Sequence, residues 1–248
     1  MKPGSLVGYL PAGFPDKATA IAAATAMVQA GVGVFEIGLP YSDPLMDGPV
    51  IADAVHRALT GGTRIKDVLD TVEAVAATGV PAFVMTYWNP IDHYGVDRFA
   101  ADLASAGGAG LITPDLTPEE SGEWLAASDA HGLDRVFLVA PSSTSERIAT
   151  ITSVCRGFVY AASLMGITGT RDAVGGQAAG LVARTREHTS LPVAVGLGVS
   201  TPAQAREVAG FADGVIVGSA FVRALDAPGG VEAVRTLAAD LATAIAAG

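Results

Sequence analysis

The chain has 248 residues, half of them hydrophobic, and its 25 acidic and 15 basic side chains give a net charge of −10. This length and apolar fraction suit one α/β barrel, and the acidic balance speaks against nucleic acid or an anionic membrane as partner, because both need clustered positive charge. A phosphorylated small molecule is compatible with this charge, since the N–H groups at a helix N-terminus hold phosphate without a basic side chain.

The cysteine content and the first residues bear on the compartment. Cys155 is the only cysteine, so an internal disulfide is impossible and a reducing, cytoplasmic setting is expected. Its helical spacing from Ile148 and Ile151 indicates core packing more than a nucleophile. Residues 1–10 lack the apolar run of a signal peptide. Residues 18–35 are uncharged but rich in alanine and glycine, which predicts a helix, a turn and a buried strand and not a membrane span.

Short apolar runs recur along the chain, each followed by a turn and a helical pattern. The runs are residues 6–10, 34–39, 82–87, 110–113, 136–140, 158–163, 193–197 and 215–218. They are nearly continuously apolar instead of alternating, which is typical of parallel strands covered by helices. Eight such units without a break in composition favour a single (β/α)8 barrel domain over residues 1–248. An open doubly wound sheet is the alternative, because strand order is not visible in a sequence.

Helical signals fill the intervals between these runs. Residues 65–76 place apolar side chains at i, i+3, i+4, i+7, i+10 and i+11, the pattern of an amphipathic helix. Thr117 and Thr201 are each followed by a proline and then, three residues after the threonine, by Glu120 and Gln204. This spacing predicts two helix N-caps with capping boxes.

Residues 34–49, with the sequence VFEIGLPYSDPLMDGP, hold the principal candidate for chemistry. Glu36 stands in an apolar strand, where a carboxylate is costly to bury unless it is paired or protonated. Asp47 follows in the next loop, and a strand-end acid beside a loop acid suits proton transfer. The alternative is structural: Glu36 makes a buried hydrogen bond, and Asp47 caps the next helix.

Glycine-rich turns follow the last three predicted strands. They are residues 166–169, 196–198 and 218–219. The loops after strands seven and eight of a barrel commonly hold phosphate through backbone amides. Three such turns at successive strand ends favour a phosphate site over three unrelated turns.

Two other polar positions have more than one interpretation. Asp115 ends the fourth predicted strand, where it would contact a partner, orient Asp47 or cap a helix turn. Residues 142–145 contain three serines and a threonine. They predict an N-cap cluster and not a nucleophile, because no histidine is expected near enough to activate a serine.

The segment EIGLPYSDPLMDGP, residues 36–49, closely resembles the signature of the tryptophan synthase α-subunit family. The resemblance continues through residues 114–116, Tyr160 and the three glycine turns, and it covers nearly the whole chain. It implies a TIM barrel that cleaves indole-3-glycerol phosphate to indole and glyceraldehyde 3-phosphate in tryptophan biosynthesis.

The resemblance also implies a role for individual positions. Glu36 matches the family's catalytic, proton-shuttling glutamate, Asp47 the catalytic aspartate that stabilises the indole N–H, and Tyr160 the tyrosine of the mouth. The matching substrate-binding positions are Tyr9, Tyr87, Thr168 and Leu197. The matching phosphate-binding positions are Gly169, Gly198, Gly218 and Ser219.

The family further implies a partner, a β subunit that carries pyridoxal phosphate, in an α2β2-type complex. No cofactor and no metal are expected in this chain. Its N-terminus is expected to be short, without the family's additional N-terminal helix beneath the barrel, so that nothing obvious plugs that end. Three alternatives remain open: a stand-alone indole-3-glycerol-phosphate lyase, another phosphosugar barrel such as an isomerase, and a barrel that mainly activates a β-type partner.

Overall fold

The computed structural model describes residues 1–162, 171–196 and 198–247, with residues 171–175 described by their backbone alone. Eight parallel strands close into a barrel in chain order. They are β1 (Ser5–Pro11), β2 (Val34–Gly38), β3 (Ala82–Met85), β4 (Gly110–Thr113), β5 (Asp134–Val139), β6 (Val159–Ala162), β7 (Val193–Gly196) and β8 (Gly214–Val217). Because β8 pairs with β1, the open-sheet alternative is wrong. All eight predicted strands are confirmed.

Helices form the outer layer of the barrel. Those in the described residues are α1 (Lys17–Gln29), α2 (Pro49–Thr60), α3 (Ile65–Ala76), α4 (Trp88–Tyr94), α5 (Val96–Ser105), α6 (Gly122–His131), α7 (Ser145–Val154), α8 (Arg171–Arg186), α9 (Pro202–Ala209), α10 (Ser219–Asp226) and α11 (Gly230–Ala246). The predicted amphipathic helix coincides with α3, which buries Val68, Val72 and Val75. Within the described part of the chain, no helix combines the length and apolar character needed to cross a membrane.

The two predicted capping boxes have different outcomes. Thr201 caps α9 as expected, because its hydroxyl accepts from the Gln204 N–H at 3.3 Å and the Gln204 side chain accepts from the Thr201 N–H at 3.2 Å. The prediction at Thr117 is wrong. The Thr117 hydroxyl donates instead to the Glu120 carboxylate at 3.0 Å within a turn, and α6 begins only after Ser121. Both side chains of the predicted box thus bond each other and leave no backbone group capped.

The barrel interior is filled by one apolar side chain from each of seven strands and by Phe158, the residue just before β6. The full set is Val7, Val34, Phe83, Ile112, Val136, Phe158, Ala194 and Ile216. A larger apolar cluster lies between the strands and the helices. Since side chains alternate along a strand, residues two positions further on face the interior again, nearer the C-terminal mouth. Tyr9, Glu36 and Tyr160 occupy such positions, so the register of the strands directs all three side chains into the mouth.

Met1 lies at the opposite end of the barrel. Its side chain packs against the interior cluster, and a side chain at Gly214 would collide with the Met1 sulfur. The expectation that nothing plugs this end is therefore wrong. The sequence pattern did not reveal the plug because Met1 lies outside any predicted element.

Candidate active site

Glu36 is the buried acid of the mouth. Its residue is 0% exposed, and neither carboxyl oxygen has a hydrogen-bond partner among the described residues. Tyr9 on β1 and Phe83 on β3 are its neighbours across the sheet. Burial raises the pKa of Glu36 from an ordinary 4.5 to about 8, so that the carboxyl holds its proton at neutral pH. The described residues therefore give no support to the alternative of a structural hydrogen bond, and among them Glu36 is a buried acid without a partner.

Asp47 lies in the loop of residues 39–48, between β2 and α2, and is half-buried. The N-cap residue of α2 is Gly48, and no side chain caps that helix. The alternative that Asp47 caps the helix is therefore wrong. Burial raises the pKa of the Asp47 carboxyl.

Two buried tyrosine hydroxyls are influenced by both acids. The pKa values of Tyr9 and Tyr160 are raised well above the ordinary value, first by burial and then by the charges of both Glu36 and Asp47. Coulombic effects weaken with distance, so an effect of both acids on both hydroxyls indicates that the four groups lie in one region. Tyr9 also pairs directly with Glu36 across the sheet. The structure therefore brings Glu36, Asp47, Tyr9 and Tyr160 together at the mouth.

Glycines make room for both tyrosine hydroxyls. A Cβ atom at Gly38 would collide with the Tyr9 hydroxyl, and one at Gly196 would collide with the Tyr160 hydroxyl. Gly38 is two residues beyond Glu36 on the same strand, and side chains two apart lie on the same face. The Tyr9 hydroxyl thus occupies the space directly above Glu36 on the inner face of β2.

The predicted phosphate positions that the structure describes lie at adjacent strand ends. Gly198 and Gly218 follow β7 and β8, which pair in parallel. Gly198 has a φ of +69°, a left-handed conformation that glycine adopts without steric cost. Gly218 is the N-cap residue of α10, and Ser219 is its first residue. A Cβ atom at Gly218 would lie 3.4 Å from the Tyr9 ring, so this end of the mouth borders Tyr9. Thr168, Gly169 and Leu197 lie outside the described residues, and the predictions for them stay predictions.

Tyr87 makes a contact that the sequence did not predict. Its side chain is buried, and its hydroxyl accepts a hydrogen bond from the Met46 N–H at 2.8 Å. The Tyr41 ring packs beside it with the ring centroids 5.6 Å apart. Asp115 accepts from the Trp88 N–H, with oxygens at 2.9 and 3.2 Å, and so caps α4. The helix-cap interpretation of Asp115 is therefore confirmed, although it caps the helix that follows the neighbouring strand.

The hydroxyl cluster before α7 has one unexpected neighbour. Thr144 caps α7 as predicted, accepting from the Arg147 N–H at 3.2 Å. The Ser145 hydroxyl lies 2.7 Å from Nε2 of His188, so the expectation that no histidine lies near is wrong. Both side chains are exposed, and His188 has no hydrogen-bonded carboxylate among the described residues. The pair lacks the oriented base and the buried setting that an activated nucleophile needs.

A closed barrel whose C-terminal mouth holds a buried, protonated carboxyl belongs to the (β/α)8-barrel enzymes that work by acid–base chemistry. A family model described as "Tryptophan synthase alpha chain" matches residues 1–245. The chain belongs to the tryptophan synthase alpha chain family and is a lyase of tryptophan biosynthesis.

Individual relatives agree with this assignment. The tryptophan synthase alpha chain of Acidothermus cellulolyticus is 62% identical over 246 residues, which are 97% of this chain and 91% of that relative. The alpha chain of Thermobifida fusca is 61% identical over 250 residues, with coverages of 98% and 93%. Tryptophan synthase from M. tuberculosis in its aminoacrylate-bound form superposes with a TM-score of 0.90 at 53% identity, covering 97% of this chain and 93% of that one. The tryptophan synthase α2β2 complex from Pyrococcus furiosus gives a TM-score of 0.89 at 35% identity, with 97% of each chain covered.

Proposed function

We propose that Glu36 and Asp47 divide between them the chemistry of the family's retro-aldol reaction, the cleavage of indole-3-glycerol phosphate to indole and glyceraldehyde 3-phosphate. The observation that carries this proposal is the state of Glu36. A carboxyl that is fully buried, has no hydrogen-bond partner among the described residues and holds its proton at neutral pH is suited to act as a proton donor.

In the proposed reaction Glu36 both gives and takes a proton. Its carboxyl protonates C3 of the indole ring, which turns the ring into an indoleninium leaving group. The bond between C3 and the side chain then breaks, and its electron pair returns to the ring. The side-chain hydroxyl becomes the aldehyde of glyceraldehyde 3-phosphate and loses its proton to the Glu36 carboxylate. The acid is thereby restored, and no net proton is consumed.

Asp47 stabilises the charge that forms in this step. Its carboxylate accepts a hydrogen bond from the indole N–H, and this bond strengthens as positive charge develops on the ring. Half-burial of Asp47 increases the effect, because fewer water molecules screen the interaction. Tyr160 borders the same space, and Tyr9, Tyr87 and Leu197 are proposed to line the pocket around the indole ring.

The phosphate is proposed to bind at the opposite side of the mouth, at Gly169, Gly198, Gly218 and Ser219. Support comes from the adjacent ends of β7 and β8 and from the N-terminus of α10, whose first N–H groups have no partner within the helix. No basic side chain is required there, which is consistent with the acidic composition. Thr168 is proposed to contact the substrate from the loop that follows β6.

A β subunit is the proposed partner in an α2β2-type complex, with pyridoxal phosphate expected only in that subunit. The solved P. furiosus relative is such a complex. In this chain the loop of residues 39–48 presents Leu45, 86% exposed, and Met46, 58% exposed, which suits a protein contact. A cytoplasmic location is proposed from the single cysteine and the family's biosynthetic role, and one domain over residues 1–248 from the closed barrel.

The test is indole release from indole-3-glycerol phosphate by the purified chain, with Glu36→Gln as the variant. Glutamine keeps the shape of the side chain but cannot carry the proton. Turnover should fall by about 10²–10⁴-fold, while substrate binding measured by calorimetry changes little. Unimpaired turnover in Glu36→Gln would overturn the assignment. A wild-type chain that releases no indole but raises the activity of an added β subunit would favour the activator alternative.

A further inference from the structure

The loop that carries Asp47 is held to the rest of the described structure by very few polar contacts. Leu45 and Met46 point their side chains outward, so apolar burial does not fix this part of the loop. Ser42 and Asp43 bond each other locally at 2.6 Å. The Tyr87 hydroxyl, between β3 and α4, accepts a hydrogen bond from the Met46 N–H at 2.8 Å and so joins this loop to the next one.

This bond lies next to the proposed catalytic carboxylate. Met46 directly precedes Asp47, so fixing the Met46 N–H fixes the backbone from which the Asp47 side chain projects. Tyr87 is suited to this task because its ring is buried and packs against Tyr41 at a centroid distance of 5.6 Å. A phenol has few rotatable bonds, so its hydroxyl keeps its place once the ring is packed.

The backbone next to Tyr87 is in turn hydrogen-bonded to a residue at the end of the next strand. Trp88, the residue after it, donates its N–H to the Asp115 carboxylate at the end of β4. The two hydrogen bonds therefore join the loops after β2, β3 and β4 in one chain of contacts, from Asp115 through residues 87–88 to Met46. Both bonds involve backbone N–H groups, so they constrain the paths of the loops and not only the side chains.

We propose that Tyr87 is a positioning residue that sets the location of Asp47 through the Met46 N–H, and that Asp115 supports Tyr87 by fixing the start of α4. The inference deepens the proposed function, since it rests on the role of Asp47 given there. The Tyr87 ring lines the proposed pocket, whereas its hydroxyl acts on the transition state through Asp47 and not by contact with the reacting atoms. A displacement of about 1 Å in a catalytic group costs as much as 10²-fold in rate.

Tyr87→Phe is the first variant, because it removes only the hydroxyl oxygen that accepts from Met46. We expect kcat to fall by about tenfold with KM changed by less than about twofold, since Asp47 binds the charge that develops in the transition state. Hydrogen exchange at the Met46 amide should accelerate by at least about tenfold. Tyr94→Phe is the matched control: Tyr94 donates to Asp102 at 2.7 Å between α4 and α5, and its loss should leave both quantities unchanged.

Asp115 is tested by rescue. Asp115→Ala removes the acceptor for the Trp88 N–H and should lower kcat in the same direction as Tyr87→Phe. Asp115→Asn keeps an acceptor oxygen and should retain most of the wild-type rate. Equal losses in both variants would contradict the role assigned to Asp115.

A double-mutant cycle separates positioning from general destabilisation. In an Asp47→Asn background, Tyr87→Phe should cost less than about twofold in kcat, because the group that it positions is already altered. The same fold loss in both backgrounds, or an unchanged Met46 exchange rate in Tyr87→Phe, would overturn the proposal. If the turnover of Asp47→Asn is below detection, the exchange rate of the Met46 amide in Tyr87→Phe decides whether the proposal holds. Failure of the wild type to release indole would instead refute the proposed function, and the exchange measurement would still test the positioning.

Discussion

Replacing Glu36 by glutamine should stabilise the protein relative to wild type, and this difference should grow as the pH rises. The burial of the Glu36 side chain sets its size. The pKa of Glu36 is raised from an ordinary 4.5 to about 8 in the folded chain. Between these two values the folded state holds a proton that the unfolded state releases, so the wild-type protein loses stability with rising pH. Glutamine is of similar size but does not titrate, so this loss is absent in the variant.

The magnitude follows from the two pKa values. One pKa unit corresponds to about 1.4 kcal/mol. By linkage, the free energy of unfolding of the variant rises relative to that of wild type by about 2.5 kcal/mol between pH 5 and pH 7, and by about 4 kcal/mol between pH 5 and pH 9. The gain should level off above pH 8, once Glu36 is ionised in both states. Effects of this size are a large fraction of the stability of a typical domain.

Urea unfolding at pH 5, 7 and 9 measures this difference directly, provided that the slopes of wild type and variant agree. Glu73→Gln is the control, since Glu73 is an exposed residue of α3. Its stability difference from wild type should stay within about 0.5 kcal/mol at every pH. A Glu36→Gln difference that is independent of pH, or that shrinks as the pH rises, would refute the claim that the folded state keeps Glu36 protonated.

Further substitutions test separate parts of the account. Asp47→Asn should lower kcat by about 10²-fold, measured by indole release, because a neutral amide stabilises the indoleninium less than a carboxylate does; wild-type turnover would refute its electrostatic role. Gly38→Ala places a methyl group against the Tyr9 hydroxyl and should reduce kcat/KM in the same assay. An unchanged kcat/KM would contradict the close approach of the Tyr9 hydroxyl to Gly38. Thr201→Ala removes the α9 cap and should cost about 0.5–2 kcal/mol in urea unfolding, and a loss of turnover in the folded variant would contradict its purely structural role.

The sequence predicts the barrel well for an identifiable reason. A parallel strand buried on both faces is continuously apolar, so the eight runs were visible without any knowledge of strand order. Glu36 was identifiable because it interrupts one of these runs. The resemblance already placed Tyr9 and Tyr160 at the site with Glu36. The space that Gly38 and Gly196 leave for the two tyrosine hydroxyls was not visible, because it depends on contacts across the barrel.

The contacts that the sequence missed or mispredicted depend on how side chains and loops meet in the fold, which local patterns do not determine. The capping box at Thr117 failed because its two side chains bond each other, a choice that the spacing alone does not reveal. The contact of Ser145 with His188 joins residues that are distant in sequence. The bond between Met46 and Tyr87 depends on the path of an exposed loop, and local patterns do not determine such paths.

Single-turnover cleavage, with enzyme in excess over indole-3-glycerol phosphate, tests the role of Glu36 most directly, because it isolates the chemical step from product release. Wild type should convert the bound substrate to indole in one rapid phase, whereas Glu36→Gln should bind the substrate and leave it intact for at least about 10² times longer. Equal single-turnover rates for the two proteins would contradict the assignment of Glu36 as the group that moves the proton.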